Sequence, residues 1–194
     1  MNIKCLQYSW EEINELCKNL ARKIKNSGFS PDVVVAVARG GWVPARLICD
    51  HLDIKELYSV KTEHWGVAAS TTCEARITQP LNVDLKGKKV LVVDDVADTG
   101  DTVRIVVEHV MSFSPKELKV AVIDYKKTSS LIPDFYASFM EDWRWIVYPW
   151  SIKEDLKDLL KKAEIRDLKR AVEYLRGLDL NVSEELVREI MEDC

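Results

Sequence analysis

Val90-Leu91-Val92-Val93 runs straight into Asp94 and Asp95, and Val96-Ala97-Asp98-Thr99-Gly100-Asp101-Thr102 follows at once. Four consecutive apolar residues, three of them β-branched, are too few for a helix and lack the alternation of a strand with one wet face. They read as a strand covered on both sides, the habit of parallel sheets. Such a sheet leaves the rest of the chain few options, because successive parallel strands need a crossover, usually a helix. The required alternation is present. Val33 to Ala38 is a second all-apolar run, and Leu57 to Lys61 and Leu118 to Ile123 read as further strands, with helical patterns between most of them. Ser9 and Glu12 form a capping box, and Trp10, Ile13, Leu16, Leu20 and Ile24 repeat at helical spacing until Asn26-Ser27-Gly28. Another helix follows Arg39-Gly40-Gly41 and runs to about Leu52, and a third carries Val103, Ile105, Val106 and Val110. The expected fold is α/β, a doubly wound parallel sheet.

In such sheets ligands bind outside the carboxyl ends of the strands, which is where Asp94 and Asp95 are expected. Thr99, Gly100, Asp101 and Thr102 stand where the next helix begins. Its unpaired N–H groups and dipole favour an anion there, and Gly100 allows close backbone approach. Two carboxylates beside an anion cradle repel it unless they meet hydroxyls or a divalent cation; a phosphorylated ribose with Mg²⁺ supplies both. The glycine turn at 38–41, with Arg39 as a cationic arm, suits a second bulky anion. Asp124-Tyr125-Lys126-Lys127 follows the strand 118–123, and Asp134-Phe135-Tyr136 and Trp143 to Trp150 add a dense aromatic stretch. Stacking rings with a cationic donor suit a flat heterocycle. Plainer readings stand beside these: a solvated strand end, a surface turn, core aromatics. Asp98-Thr99-Gly100 also matches the aspartic-protease triplet, but only Ala97 precedes it where that family has a hydrophobic strand, and no second triplet occurs.

The segment 90–102 resembles the signature of the type I phosphoribosyltransferases, which bind 5-phosphoribosyl 1-pyrophosphate (PRPP) with a hydrophobic strand, two acidic residues and a Thr-Gly phosphate loop. Lys126, Asp134-x-Tyr136 and Trp145-Ile146-x-x-Pro149-Trp150 are spaced as in the xanthine-guanine branch. The resemblance covers roughly residues 30–150. It implies that Asp94 and Asp95 hold the ribose hydroxyls, with Asp95 linked to Mg²⁺, and that Val96, Ala97, Thr99, Gly100, Asp101 and Thr102 surround the ribose and 5′-phosphate. Arg39, Gly40 and Gly41 would bind pyrophosphate, in a loop that often holds a non-proline cis peptide. Asp98 would accept a proton near purine N7. Lys126 would meet the 6-oxo group, Trp145 and Ile146 would form a hood on the base, and Lys127 is a neighbour that a one-residue shift could promote. The implied activity is transfer of the phosphoribosyl group to guanine, xanthine or hypoxanthine, with pyrophosphate released and a nucleoside monophosphate formed. Adenine enzymes of the family tend to lack an acid at the Asp98 position. Asp101 departs from the Gly or Lys of many relatives, and its side chain is expected to cap the following helix. A noncatalytic PRPP or nucleotide sensor and an orotate or uracil enzyme are the alternative readings.

Length and composition agree with a small enzyme of one domain and a tail: 194 residues, 47% hydrophobic, formal net charge −4. That charge argues against a nucleic-acid partner. The five cysteines are scattered without a Cys-x-x-Cys pair, so a reducing, cytoplasmic setting is expected rather than a disulfide framework or zinc site. No apolar run approaches a membrane span, and Met-Asn-Ile-Lys-Cys is read as leading into a polar helix rather than as a signal peptide. Residues 62–88 lack periodicity and read as a mobile lid, with a β-hairpin as the alternative and His64 and Trp65 as its candidate residues. A phosphoribosyltransferase domain is expected over 1–150, with its hood at 125–150, and an amphipathic helical extension over 151–194 that packs on the domain or builds a homodimer.

Overall fold

The structure, a computed structural model, describes residues 4–65 and 74–192. The chain forms two compact units, residues 13–142 and a second built from 1–12 together with 143–194.

The larger unit is a six-stranded sheet. Its strands are β2 (Val33–Ala38), β3 (Leu57–Trp65), β4 (Glu74–Gln79), β5 (Lys89–Ala97), β6 (Glu117–Lys126) and β7 (Phe135–Met140), in the order β4-β3-β2-β5-β6-β7. Every neighbouring pair is parallel except β3 with β4. The helices α1 (Trp10–Asn26), α2 (Trp42–Leu52) and α3 (Asp101–Met111) connect or cover these strands. The all-apolar runs behave as their composition dictates: each residue of β2 is buried, and Val35, Val37, Val90, Val92, Val120 and Val122 pack with Val103, Val106 and Val110 of α3. Each such valine contributes roughly 1.5–3 kcal/mol when fully removed from water. The chain steps outward from β2 to β3 and β4, then returns to the other side of β2 with β5. That reversal opens the crevice at the carboxyl ends of β2 and β5, where Ala38 to Gly41 and Asp94 to Asp98 lie.

Several boundaries differ from the sequence reading. β5 continues through Ala97 and β6 through Lys126, so Asp94, Asp95 and Lys126 belong to the ladder rather than to loops beyond it. Their backbone groups gain partners there: Asp94 stands opposite Val122, and Val96 opposite Asp124. β7 lies within the aromatic stretch read as a binding segment. β3 extends to Trp65 and pairs antiparallel with β4, so part of the expected lid consists of hairpin arms, while its centre, residues 66–73, lies outside the described residues.

In the smaller unit, β1 (Cys5–Gln7) pairs in parallel with β8 (Trp145–Val147). The helices α4 (Ile152–Lys162), α5 (Leu168–Gly177) and α6 (Glu184–Glu192) bury Leu156, Leu159, Ala171, Leu175, Val187 and Ile190 around Cys5 and Val147. The two compact units divide at 142/143, and Trp145 and Val147 pack in the core formed by the tail helices. Ser9 and Glu12 make the expected reciprocal capping bonds, 3.2 Å from the Glu12 N–H to the Ser9 hydroxyl and 2.7 Å from the Ser9 N–H to the carboxylate. Asp167 caps α5 by accepting from the Arg170 N–H.

Candidate active site

Asp94 is buried at the end of β5, and its Oδ1 accepts the Asp95 N–H at 2.9 Å. Asp95 Oδ1 accepts the Val96 N–H at 2.8 Å. Burial pushes the Asp94 carboxyl well above the usual range, and the Asp95 charge beside it adds to the rise. Burial likewise raises Asp95, to about 6, with the charge of the fully buried Asp124 on β6 acting in the same direction. Three carboxylates thus converge at one end of the sheet, on adjacent strands.

The β2–α2 turn closes against this pair. The peptide between Ala38 and Arg39 is cis. A Cβ on Gly40 would collide with the Asp95 carboxylate, with Oδ1 only 2.7 Å away. At Gly41 it would meet the backbone of Val37 and Val93, so glycine is what lets the turn sit flat on the strand ends. Arg39 is exposed.

After β5 the chain turns through Gly100, which has φ +89° and precedes the first residue of α3. Asp94 to Gly100, Thr102 and Val103 line a cavity of about 310 Å³, the low end of the range for small-molecule sites. Asp101 is not its helix cap. Gly100 occupies the cap position, and the Asp101 carboxylate, one residue into the helix, instead accepts the Thr99 hydroxyl at 2.8 Å and faces Arg104 at 3.8 Å.

Asp98 and Lys126 meet. Lys126 Nζ donates to Asp98 Oδ2 at 2.7 Å, and only 5% of the lysine side chain is exposed. Such a charge-assisted bond holds both groups in one orientation. Lys127 points elsewhere, to Glu141 at 2.9 Å, so of the two lysines it is Lys126 that meets Asp98. Asp134 accepts the Val120 N–H at 2.8 Å, and Tyr136 packs against Tyr125 with ring centres 5.3 Å apart; these two belong to the frame. Trp145 and Ile146 lie in the smaller unit. There the Trp145 indole N–H donates to Asp155 Oδ1 at 3.1 Å, Lys162 stands 4.5 Å above the ring, and Ile146 is buried in β8. Sequence reasoning missed Thr128, whose hydroxyl reaches the Asp98 carbonyl at 2.9 Å and Oδ1 at 3.1 Å. A Lys-Thr-Ser-Ser run reads only as a turn.

Among the described residues no group of three or more His, Cys, Asp or Glu is arranged to hold a metal ion by itself. The donors present do fit a hard cation that takes one or two carboxylates and completes its shell with substrate oxygens and water.

A family model for the phosphoribosyl transferase domain matches residues 9–155. The chain is 30% identical to a xanthine-guanine phosphoribosyltransferase of Ruegeria sp. (strain TM1040) over 159 residues, which cover 77% of this chain and 86% of that protein. A purine phosphoribosyltransferase from Pyrococcus horikoshii Ot3 superposes with a TM-score of 0.67 at 35% identity, covering 77% of this chain and 95% of the other. A protein of Neisseria gonorrhoeae, solved with ppGpp bound, superposes with a TM-score of 0.69 at 32% identity, covering 84% and 98% respectively. An acidic strand end that runs into a Thr-Gly turn, on a sheet of this topology, therefore has a known kin: the chain belongs to the phosphoribosyl transferase family.

Proposed function

We propose that this enzyme transfers the 5-phosphoribosyl group of PRPP to a 6-oxopurine, releasing pyrophosphate and forming a nucleoside monophosphate. The Asp98–Lys126 pair carries the choice of base. A protonated N7 beside a 6-oxo group presents a donor next to an acceptor, and a carboxylate beside an ammonium matches that order. Adenine shows an amino donor at position 6 and would leave the ammonium facing another donor. In the relatives, xanthine-guanine and hypoxanthine-guanine specificities recur, which supports the same substrate class.

In this reading the Thr99 and Thr102 hydroxyls and the N–H groups around Gly100 take the 5′-phosphate, at the amino end of α3. The carboxylates of Asp94 and Asp95 accept from the ribose hydroxyls. Arg39 and the backbone of Gly40 and Gly41 meet the departing pyrophosphate, where negative charge builds as the C1′–O bond breaks. Lys126 orients the base through its 6-oxo oxygen, and Asp98 takes the N7 proton, raising the electron density of the nitrogen that attacks C1′. Mg²⁺ held through Asp95 and substrate oxygens would neutralise part of the charge on the pyrophosphate. The roles of Trp145 and Ile146 in base binding rest on the resemblance alone, whereas a cytoplasmic setting is inferred from the scattered cysteines and a homodimer from the amphipathic extension; among the described residues no helix is long and apolar enough to cross a membrane.

The test is pyrophosphate release from PRPP and Mg²⁺ with guanine, xanthine, hypoxanthine, adenine, orotate and uracil offered separately. Turnover confined to the three oxopurines is expected. Turnover with adenine or a pyrimidine instead, or with none of the six, would refute the assignment.

A further inference from the structure

The turn after β6 grips the Asp98–Gly100 loop more closely than a connector requires. Ser130 donates both its N–H, at 2.8 Å, and its hydroxyl, at 2.9 Å, to the Thr99 carbonyl. Thr128, two residues earlier, brings one hydroxyl to both the main-chain carbonyl and the carboxylate Oδ1 of Asp98. These bonds cross about thirty positions of sequence, and the two from Thr128 act on the one residue to which proton transfer has been assigned.

We propose that Thr128 is a positioning residue for Asp98, its hydroxyl holding the Oδ1 side of the carboxylate while Lys126 holds Oδ2. The inference rests on the reading of Asp98 as proton acceptor. A carboxylate offers about four lone-pair directions over two oxygens, and a proton acceptor works only if one of them is aimed at the proton. Lys126 by itself fixes one oxygen and leaves rotation about the Cβ–Cγ bond. A second donor on the opposite oxygen sets the plane of the group, and the same hydroxyl ties that plane to the Asp98 backbone. When a base draws the Lys126 ammonium toward its 6-oxo oxygen, Thr128 keeps hold of the carboxylate from the other side. Ser130 holds the following carbonyl, so the loop cannot drift away from Thr128.

The experiment compares kcat and KM for PRPP and for the preferred oxopurine in wild type, Thr128→Val, Thr128→Ser, Asp98→Asn and the Asp98→Asn/Thr128→Val double variant. Valine keeps the branched shape and loses the donor; serine keeps the donor. Thr128→Val is expected to lower kcat by roughly three- to ten-fold, the scale of one ordinary hydrogen bond, since a single hydroxyl proton is shared between two acceptors, while KM for PRPP stays within about two-fold. Thr128→Ser should restore kcat to within about two-fold of wild type. In the Asp98→Asn background the valine should add no further loss, because the two residues act as a unit. Wild-type kcat in Thr128→Val, a rise in the PRPP KM alone, or a valine that costs the same factor in the Asp98→Asn background as in wild type would each overturn the proposal. Asp98→Asn turning over at the wild-type rate would overturn the proton-acceptor reading itself and Thr128's role with it, an outcome distinct from the other three.

Discussion

Gly100→Ala and Gly87→Ala separate two reasons for a glycine. Both positions have positive φ, +89° and +70°, so an alanine at either adopts a left-handed backbone at a cost of roughly 1–2 kcal/mol. Around Gly87 nothing lies within 4 Å of the new Cβ, and the cost ends there. At Gly100 the Cβ would stand 2.7 Å from Ser129 Oγ, 2.8 Å from the Leu131 backbone nitrogen and 3.1 Å from Ser130 Oγ. A serine hydroxyl can rotate away, but the Leu131 nitrogen moves only with its chain, and that chain carries the two Ser130 bonds to Thr99. Overpacking of this kind adds roughly 1–3 kcal/mol. Gly100→Ala should therefore destabilise by about 2–5 kcal/mol and Gly87→Ala by about 1–2. Urea unfolding at fixed pH gives both values, provided the slopes agree with wild type. The same displacement moves the N–H groups proposed to cradle the 5′-phosphate, so kcat/KM for PRPP should fall at least about ten-fold in Gly100→Ala and stay near wild type in Gly87→Ala. Equal destabilisation in the two variants would show that the close approach of the 128–131 turn exerts no constraint, and the reasoning would fail.

Gly40→Ala, with no positive φ to strain it, should destabilise by roughly 1–3 kcal/mol because its Cβ displaces the buried Asp95 carboxylate from the Val96 N–H; PRPP binding by calorimetry should weaken at least about ten-fold, and an unchanged isotherm would refute the packing argument. Asp95, raised to about 6 when folded against about 3.9 unfolded, keeps a proton in the native state that the unfolded chain has lost. Stability of the ligand-free, Mg²⁺-free protein should therefore fall as pH rises from about 4 to 6, and Asp94, raised in the same direction, adds to the fall. Asp95→Asn should flatten that slope in denaturant titrations and raise stability at pH 7.5; a slope equal to wild type would contradict the burial argument. Asp101→Asn removes a negative charge that now holds the Thr99 hydroxyl, while exposed Arg104 offsets it only weakly. KM for PRPP should drop a few-fold at low salt, with the gain shrinking as salt screens it; no change at either ionic strength would show that the carboxylate does not compete with phosphate.

The interior of the sheet was legible because β2 and the first half of β5 are unbroken runs of buried, mostly β-branched residues, a pattern with one physical explanation. Their ends were not. Asp94, Asp95, Asp124 and Lys126 lie within strands, yet a polar residue at that point reads as the strand's last, and only the register with the neighbouring strand shows that the ladder continues. The 94–102 segment could be assigned from sequence because its parts are contiguous and one turn brings them together. Thr128 could not, since its contact with Asp98 joins a turn to a loop thirty residues earlier, and nothing in a Thr-Ser-Ser run distinguishes a clamp from a connector. Asp101 failed as a cap for a related reason: the left-handed φ of Gly100 decides where the helix begins, and composition does not report φ.

These misplaced polar residues share a consequence. Three carboxylates converging at the end of β5 and β6 are unfavourable in the free protein, as the upward shifts of Asp94 and Asp95 register. The valine core on the two strands offsets that cost, which is why the acids can stand in the ladder at all. Ribose hydroxyls and a divalent cation would relieve it, so PRPP with Mg²⁺ should stabilise this protein by more at pH 7.5 than at pH 5, where the acids are partly protonated before any ligand arrives. Thermal unfolding with and without PRPP and Mg²⁺ at the two pH values measures that difference. A ligand-induced rise in Tm as large at pH 5 as at pH 7.5 would mean that the acidic pair does not face the ligand, and would move the sugar-binding assignment off β5.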